Sequence, residues 1–302
     1  MKLKYKIKEN NKGQSINQIL TNKLNISTRL LTKLIKKQKI FVNKNICDTR
    51  NLVKLEDIIE INFDFPEDNS NISPSQMNLD IIYEDDWFLV LNKPAGIPIH
   101  PSRLHYTDSL SNGIKFYFDS IGLAKKIRPV NRLDLDTSGL VIFAKCEYIQ
   151  ESFARQMDKK TFQKEYLCFV NGFLEQKIGT INLPIARKAD SIIERCIDKN
   201  SGQPSVTHYE VIKEFSNYSL VRCKLETGRT HQIRVHMCAI GHPLLGDSLY
   251  GTKSNLMNRQ ALHSYRISCI HPISKKSLVF ESDLPYDMKY QLRNICHSFL
   301  IS

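Results

Sequence analysis

The spacing of apolar residues predicts two short helices near the start of the chain, followed by strands. Ser15 and Ser27 can each cap a helix, because a serine hydroxyl accepts a hydrogen bond from an unpaired N–H group of the first turn. Apolar residues recur at helical intervals behind each serine, in SINQILTNKL and STRLLTKLIKKQK. The segment KIFVNKN then predicts a strand and a turn, and DIIEINF predicts a closing strand. We therefore expect residues 1–63 to form a first domain.

The next segment, residues 64–78, has the composition of a linker. It reads DFPEDNSNISPSQMN and combines two prolines with several serines and asparagines. A second domain follows, and we expect it to extend over residues 79–302.

Strand patterns dominate the second domain. Single strands are predicted in DIIY, WFLVL, LVIFA and TFQKEYLCFVNG, and hairpins in SVTHYEVIKEFSNYSLVRCKLETG and across ALHSYRISCI and SLVFESDLP. Helices are predicted in SLSNGIKFYFDSIG, in EYIQESFARQMDKK and from about Thr230 to Ala239. Because hairpins join many neighbouring strands, we expect an α+β fold, with a mainly antiparallel mixed sheet and flanking helices. The first domain adds a small α/β unit.

The stretch RPVNRLDLDTSGLVIFAK is the best candidate for chemistry. Its apolar end has the length of a buried strand, and Gly139 marks a tight entry into that strand. Asp134 precedes the turn, and the nearby Arg128 and Arg132 favour its ionised form. A carboxylate in this position can act as a covalent nucleophile. From these residues alone, a structural ion pair is the commoner explanation.

Composition and charge point to a polyanionic partner. The chain of 302 residues carries 43 Lys and Arg against 31 Asp and Glu, a net charge of +12. Such a surplus favours nucleic acid. We expect no membrane contact, because the sequence has neither an amphipathic anchor nor an apolar run of spanning length. The eight cysteines are scattered without a C-x-x-C pair, which predicts no zinc site or disulfide framework and fits a cytoplasmic protein.

Three hydrolase classes find little support in the sequence. His231 and His236 are five residues apart, so they cannot form the H-E-x-x-H pair of a zinc hydrolase. Ser138 lacks the G-x-S-x-G elbow of a serine hydrolase. Asp134 and Asp136 could serve as the carboxylates of a glycosidase, but two residues apart on a tight loop they can point in different directions.

Four segments, taken in order, resemble the RluA/RluD-type family of RNA pseudouridine synthases. They are LNKPAGIPIHPS, NRLDLDTSGLVIFAK, KTFQKEYLCFVNG and LETGRTHQIRVHMCAIGHPLLGD, and the resemblance covers most of residues 79–285. It implies the catalytic fold of that family, with Asp134 as the catalytic aspartate. Arg132 would fill the space left by a flipped uridine.

The same resemblance implies roles for four further residues. Tyr166 would stack on the target base and is implicated in proton removal. Arg229 would pair with the catalytic aspartate and favour its ionised form. Lys93 and Arg234 would line the RNA cleft. The sequence departs from the family pattern at Asn131, where the best-known members carry histidine.

Residues 14–63 resemble the S4-like RNA-binding domain, which is commonly appended to that catalytic domain. The matching basic positions form the expected RNA face, namely Arg29, Lys33, Lys36 and Lys37. Phosphate contacts of this kind supply affinity and orientation without reading sequence. Gln38 stands where the S4 pattern usually has glycine at the helix end.

The resemblance implies an isomerase that converts uridine to pseudouridine in structured RNA, with no cofactor and no metal. We expect 23S ribosomal RNA as the substrate, with transfer RNA as the alternative, and a monomeric enzyme. It leaves open whether Asp134 attacks the ribose or removes a proton from it. Two other hypotheses are a ribosome assembly factor that binds RNA without chemistry, and a basic protein for which nucleic acid is incidental.

Overall fold

A computed structural model describes residues 1–297, of which residues 293–297 are described without their side chains. The first part of the chain builds a four-stranded antiparallel sheet in the order β1-β4-β2-β3, with two helices packed on it. Its elements are β1 Lys2–Lys6, α1 Ile16–Gln18 with a wider turn over Ile19–Lys23, α2 Thr28–Lys36, β2 Ile40–Val42, β3 Asn45–Ile46 and β4 Ile58–Asn62. The predicted helices and strands of this region are confirmed.

Both predicted helix caps are present. The Ser15 hydroxyl accepts a hydrogen bond from the Gln18 N–H at 3.2 Å, and the Gln18 side chain accepts one from the Ser15 N–H at 2.8 Å. The Ser27 hydroxyl accepts one from the Leu30 N–H at 3.3 Å. After α2, Gln38 adopts a left-handed φ of 53°, a conformation that explains why glycine is usual at this place.

The rest of the described chain builds a ten-stranded sheet with helices against it. The spine of this sheet runs in the order β10-β13-β14-β9-β15-β8-β6-β5, while β16 pairs with β15 and β7 with β8; β11 and β12 form a separate two-stranded sheet. The elements are β5 Ile81–Glu84, β6 Phe88–Lys93, α3 Leu110–Ser120, β7 Arg128–Pro129, β8 Ser138–Ala144, α4 Glu147–Asp158, β9 Gln163–Asn171, β10 Ile178–Asn182, β11 Ile185–Arg187, β12 Arg195–Ile197, β13 Val206–Phe215, β14 Tyr218–Leu225, α5 Gln232–Ala239, β15 Leu262–Ile270, β16 Ser277–Glu281 and α6 Tyr286–His297. Only β15 and β8 pair in parallel within this part of the chain. The predicted fold class, mainly antiparallel and α+β, is confirmed.

Strand β8 lies inside the sheet, and every one of its residues is buried. It is parallel to β15, with Gly139 opposite Ser264. Gly139 has a φ of +111°, and a Cβ atom there would overlap the Ser264 backbone. A larger residue would therefore push β8 away from β15 and shift the loop that carries Asp134.

The segment 64–78 contains no helix or strand, but it is packed onto both neighbouring regions. Phe65 and Ile72 are buried. The Glu67 carboxylate accepts hydrogen bonds from Arg128 at 2.7 and 2.8 Å and from Lys33 of α2 at 2.7 Å. The expectation that Arg128 lies beside Asp134 is wrong, because both terminal nitrogens of the Arg128 guanidinium donate to the Glu67 carboxylate.

Two findings bear on membranes and thiols. Within residues 1–297 no helix combines the length and the apolar character that crossing a membrane requires. The seven cysteines whose side chains are described are free thiols. The eighth, Cys296, lies outside the described side chains.

Candidate active site

A cavity of about 750 Å³ opens between the loop before β8, the start of β9 and the start of α5. Its lining brings together four residues predicted from the sequence, namely Arg132, Asp134, Tyr166 and Arg229. They are up to 97 positions apart along the chain, so the fold assembles them. Of the Asp134 side chain, 23% is exposed, enough to meet a ligand in the cavity.

The loop that carries Asp134 is fixed at both ends. Before it, the buried Asn131 side chain donates to the Leu140 carbonyl at 3.1 Å and accepts from the Ile142 N–H at 2.9 Å. After it, the Thr137 N–H donates to the Asp134 carbonyl at 3.1 Å and closes a turn. Asn131 thus uses both ends of its amide to hold the loop against β8, a structural role that needs no charge.

Lys93 is fully buried, so the prediction that it lines the RNA cleft is wrong. Its ammonium donates to the carbonyls of Pro94 and Ile97 and, at 2.8 Å, to that of Leu135 in the Asp134 loop. Burial lowers the pKa of Lys93 to about 7, although the charges of Asp136 and Asp134 oppose the shift. Lys93 is therefore a positioning residue that ties the loop carrying Asp134 to residues 94–97.

The arginine nearest the Asp134 carboxylate is Arg234, with Nη1 at 3.4 Å from Oδ2. Arg234 is itself held by Asp247, whose carboxylate accepts from Nε at 2.7 Å and from Nη2 at 2.8 Å. The Asp247 side chain is completely buried and also accepts from the N–H groups of Leu249 and Tyr250. This bidentate arrangement fixes the guanidinium plane beside Asp134.

Arg229, the predicted partner of Asp134, makes a different contact. It is exposed, and its Nε donates to the Pro204 carbonyl at 3.3 Å. The reason lies in the start of α5: Arg234 belongs to the first turn of the helix, whereas Arg229 belongs to the loop before it. The assignment of the pairing role to Arg229 is corrected to Arg234, and Arg234 is a buried partner of two carboxylates and not a wall of an RNA cleft.

His231 is a site residue that the sequence analysis did not assign. It adopts a left-handed φ of 58° just before α5, which turns its side chain into the cavity. Nε2 lies 3.9 Å from Asp134 Oδ2, and Nδ1 lies 2.8 Å from the Tyr250 hydroxyl. Burial lowers the pKa of His231; Asp134 opposes this shift and Arg234 adds to it. The residue is therefore a neutral imidazole at neutral pH.

Tyr166 lies in β9 and is 5% exposed at the cavity wall. Burial raises the pKa of Tyr166 far above its ordinary value, and the charge of Asp134 adds to the rise. The ring is a neutral phenol at neutral pH, and its position suits an aromatic surface against which a base can stack. Arg132, two residues before Asp134 in the same loop, is exposed to the cavity.

The four basic residues predicted as an RNA face on α2 divide into two pairs. Arg29 forms an ion pair with Glu147 of α4 at 2.6 Å, and Lys33 forms one with Glu67 at 2.7 Å. These two ion pairs connect α2 to the neighbouring part of the protein, and 80% of the Arg29 side chain stays exposed. Lys36 and Lys37 are exposed.

No cluster of three or more His, Cys, Asp or Glu side chains within the described residues has the arrangement of a metal site. The cavity lining carries the charges of Asp134, Arg132 and Arg229 and also those of Asp158, Lys160, Lys164 and Glu226, while Arg234 lies beside Asp134. Together with a neutral imidazole and a phenol, they form a site for proton or nucleophile chemistry on an anionic substrate.

Comparisons with known proteins give one consistent family. A family model described as RNA pseudouridylate synthase matches residues 87–239. The uncharacterized RNA pseudouridine synthase YhcT of Bacillus subtilis is 40% identical over 97% of this chain and 96% of its own length. The ribosomal large subunit pseudouridine synthase D of Neisseria meningitidis serogroup B is 35% identical over 87% of this chain and 73% of its own.

Solved structures share the fold. Human RNA pseudouridylate synthase domain containing 1 superposes with a TM-score of 0.56 at 24% identity, covering 74% of this chain and 98% of that one. Human RNA pseudouridylate synthase domain containing 4 gives a TM-score of 0.58 at 22% identity, covering 72% and 92%.

Proposed function

The chain belongs to the RNA pseudouridylate synthase family, and we propose that it isomerises uridines of large-subunit ribosomal RNA with Asp134 as the group that acts on the ribose. Pseudouridine synthase activity on RNA follows from the family. The observation that carries the assignment to Asp134 is its partly exposed carboxylate in a cavity that also holds Tyr166, with Arg234 at 3.4 Å.

The proposed reaction breaks the bond between nitrogen 1 of uracil and the ribose, turns the base and rejoins it through carbon 5. Carbon 5 then loses its hydrogen as a proton, and nitrogen 1 gains one, so that the product is an isomer of the substrate. The uridine must leave its stack to reach the cavity, which costs a few kcal/mol. Stacking on Tyr166 would offset about 1–3 kcal/mol of that cost. Arg132, exposed beside Asp134, would occupy the space that the base leaves. The Arg234 guanidinium keeps the carboxylate beside a positive charge throughout.

Large-subunit ribosomal RNA is the proposed substrate because ribosomal large subunit pseudouridine synthase D of several bacteria is 35–38% identical to this chain. We also propose the division into an S4-like RNA-binding domain, residues 1–63, a connecting segment, 64–78, and a catalytic domain, 79–302. On α2, the exposed Lys36 and Lys37 would contact phosphates. We expect the enzyme to act as a monomer in the cytoplasm.

Release of the carbon-5 hydrogen tests the proposed reaction. Large-subunit ribosomal RNA carrying tritium at carbon 5 of uridine should lose tritium to water when the purified chain is added, and Asp134→Asn should abolish the release. Transfer RNA labelled in the same way tests the alternative substrate. If wild-type protein binds either RNA but releases no tritium from it, the protein is a binding factor and the proposed reaction is wrong.

A further inference from the structure

A narrow gap separates the His231 imidazole from the Asp134 carboxylate. The 3.9 Å between Nε2 and Oδ2 is too long for a direct hydrogen bond. It is, however, the right width for one bridging oxygen, which can lie about 2.8 Å from both atoms. Both side chains line the cavity, and 11% of the His231 side chain and 23% of that of Asp134 are exposed. A ligand oxygen can therefore enter between them.

The hydrogen bonds around His231 favour one of its two neutral tautomers. The Arg195 N–H donates to the Tyr250 hydroxyl oxygen at 2.8 Å, so the phenol proton is free to point to its other neighbour. That neighbour is His231 Nδ1 at 2.8 Å, which can accept the hydrogen bond. A neutral imidazole that accepts at Nδ1 carries its hydrogen on Nε2. In this tautomer His231 presents an N–H donor to the gap, opposite a carboxylate that accepts.

The pair is complementary to a hydroxyl group, which accepts at its oxygen and donates its hydrogen. Within an RNA chain, the ribose has one free hydroxyl, on carbon 2′, because the 3′ and 5′ oxygens are esterified. Carbon 2′ is bonded to the anomeric carbon. Whether Asp134 attacks the anomeric carbon or removes the proton of carbon 2′, its carboxylate must come within reach of this hydroxyl.

We propose that His231 and Asp134 bracket the 2′-hydroxyl of the target uridine, so that His231 is the residue with which this enzyme distinguishes ribose from deoxyribose. This inference rests on the function proposed above. The 2′-hydroxyl is the group by which proteins separate RNA from DNA. Tyr250 is a positioning residue in this arrangement: its ring packs against the Arg234 guanidinium at 5.0 Å, and its hydroxyl sets the tautomer of His231.

The contact of His231 with the 2′-hydroxyl is tested by assaying wild-type protein and one variant on two RNAs that differ only in this hydroxyl. The RNA is a stem-loop containing the uridine that the wild-type enzyme modifies, made with ribose or with 2′-deoxyribose at that position. His231→Asn suits the test because asparagine tolerates the left-handed conformation and its amide can still reach the Tyr250 hydroxyl, while the Nε2–H donor is lost. The matched control is His242→Asn, since His242 bonds the Asn171 carbonyl and is not part of the cavity lining.

We expect the ratio of kcat/KM for ribose over deoxyribose to fall about fivefold in His231→Asn, the size of one neutral hydrogen bond, and to stay unchanged in His242→Asn. Tyr250→Phe should lower the ratio in the same direction by less. If the deoxyribose RNA is not turned over, the ratio of the Kd values for the two RNAs is measured in place of the ratio of the kcat/KM values.

An unchanged ratio in His231→Asn would overturn the bracket even if turnover falls, because a structural defect slows both RNAs alike. Turnover of the ribose RNA by wild-type protein is the separate requirement of the proposed function, so the two failures are distinguishable.

Discussion

Replacing Arg234 and Arg229 in turn tests which arginine serves Asp134. Only 8% of the Arg234 side chain is exposed, and it is the guanidinium partner of an Asp247 carboxylate with no exposed surface. Arg234→Gln leaves that carboxylate buried and unpaired, a change that costs about 3–5 kcal/mol. Arg229→Gln removes an exposed side chain bonded to one carbonyl at 3.3 Å, and it should change stability by about 0.5 kcal/mol at most.

The assay combines urea denaturation with tritium release at a temperature where every variant is folded. We expect Arg234→Gln to lose at least a hundredfold in kcat and Arg229→Gln to lose less than tenfold, about 2.7 against 1.4 kcal/mol of barrier. The double variant Arg234→Gln with Asp247→Asn removes both buried charges, so it should regain about half of the lost stability and remain inactive.

That recovery separates folding from catalysis, because a loss of activity caused by instability alone would be reversed along with the stability. The reasoning is refuted if Arg229→Gln is the inactive variant and Arg234→Gln retains near wild-type kcat at full folding.

Three further predictions concern stability and stacking. Burial alone would raise the pKa of Glu67, but the hydrogen bonds from Arg128 and Lys33 outweigh burial and hold the pKa at about 2. The stability that the ionised Glu67 supplies is therefore present above about pH 4.5 and is lost as the pH falls towards 2. Glu67→Gln should cost about 3 kcal/mol at pH 7 and flatten the acid limb of urea midpoints against pH. Gly139→Ala should lower the free energy of unfolding by more than about 3 kcal/mol or prevent soluble expression, because its Cβ would overlap the β15 backbone. The control is Gly122→Ala, which has a positive φ but open space around it and should cost about 1 kcal/mol. Burial raises the pKa of Tyr166, so we expect its ring to be required for stacking and its hydroxyl not to be required for proton removal. Tyr166→Phe should therefore retain kcat within about tenfold in the tritium assay, whereas Tyr166→Ala should lose at least a hundredfold. Equal losses would show that the hydroxyl, not the ring, is required.

Much of the fold could be predicted because the signals are local. A serine followed by helical spacing marks a cap within one turn, and hairpin strands pair with their neighbours in the chain, so α2 and the β13–β14 hairpin followed from short windows of sequence. The start of β8 could likewise be predicted from the sequence, at Gly139. Only a residue without a Cβ atom fits at position 139, because the β15 backbone approaches it closely.

The site was less predictable because its partners come from distant segments. Asp134 and Arg234 are 100 positions apart, and the motif GRTHQIRVH offers two arginines of the same chemistry. The residue at which α5 begins decides between them, and boundaries are the least certain part of a sequence-based prediction. His231 was missed for a related reason: its left-handed backbone, which aims it at Asp134, leaves no signal in the spacing of apolar residues.

The role of Lys33 on α2 was misjudged on the same grounds. A run of cations on a helix has the same appearance in sequence whether it meets phosphates or carboxylates. Lys33 meets Glu67 and Glu147, which follow it by 34 and 114 positions, so only the tertiary fold separates the two cases.

The most direct test of the central role of Asp134 is a map of pseudouridines across total RNA in three strains. One lacks the gene, one carries it restored, and one carries Asp134→Asn at a matched protein level. We predict that at least one pseudouridine in large-subunit ribosomal RNA is absent without the gene, returns with the wild-type chain and stays absent with Asp134→Asn. Full modification of every such site by Asp134→Asn would contradict the assignment of the chemistry to this carboxylate.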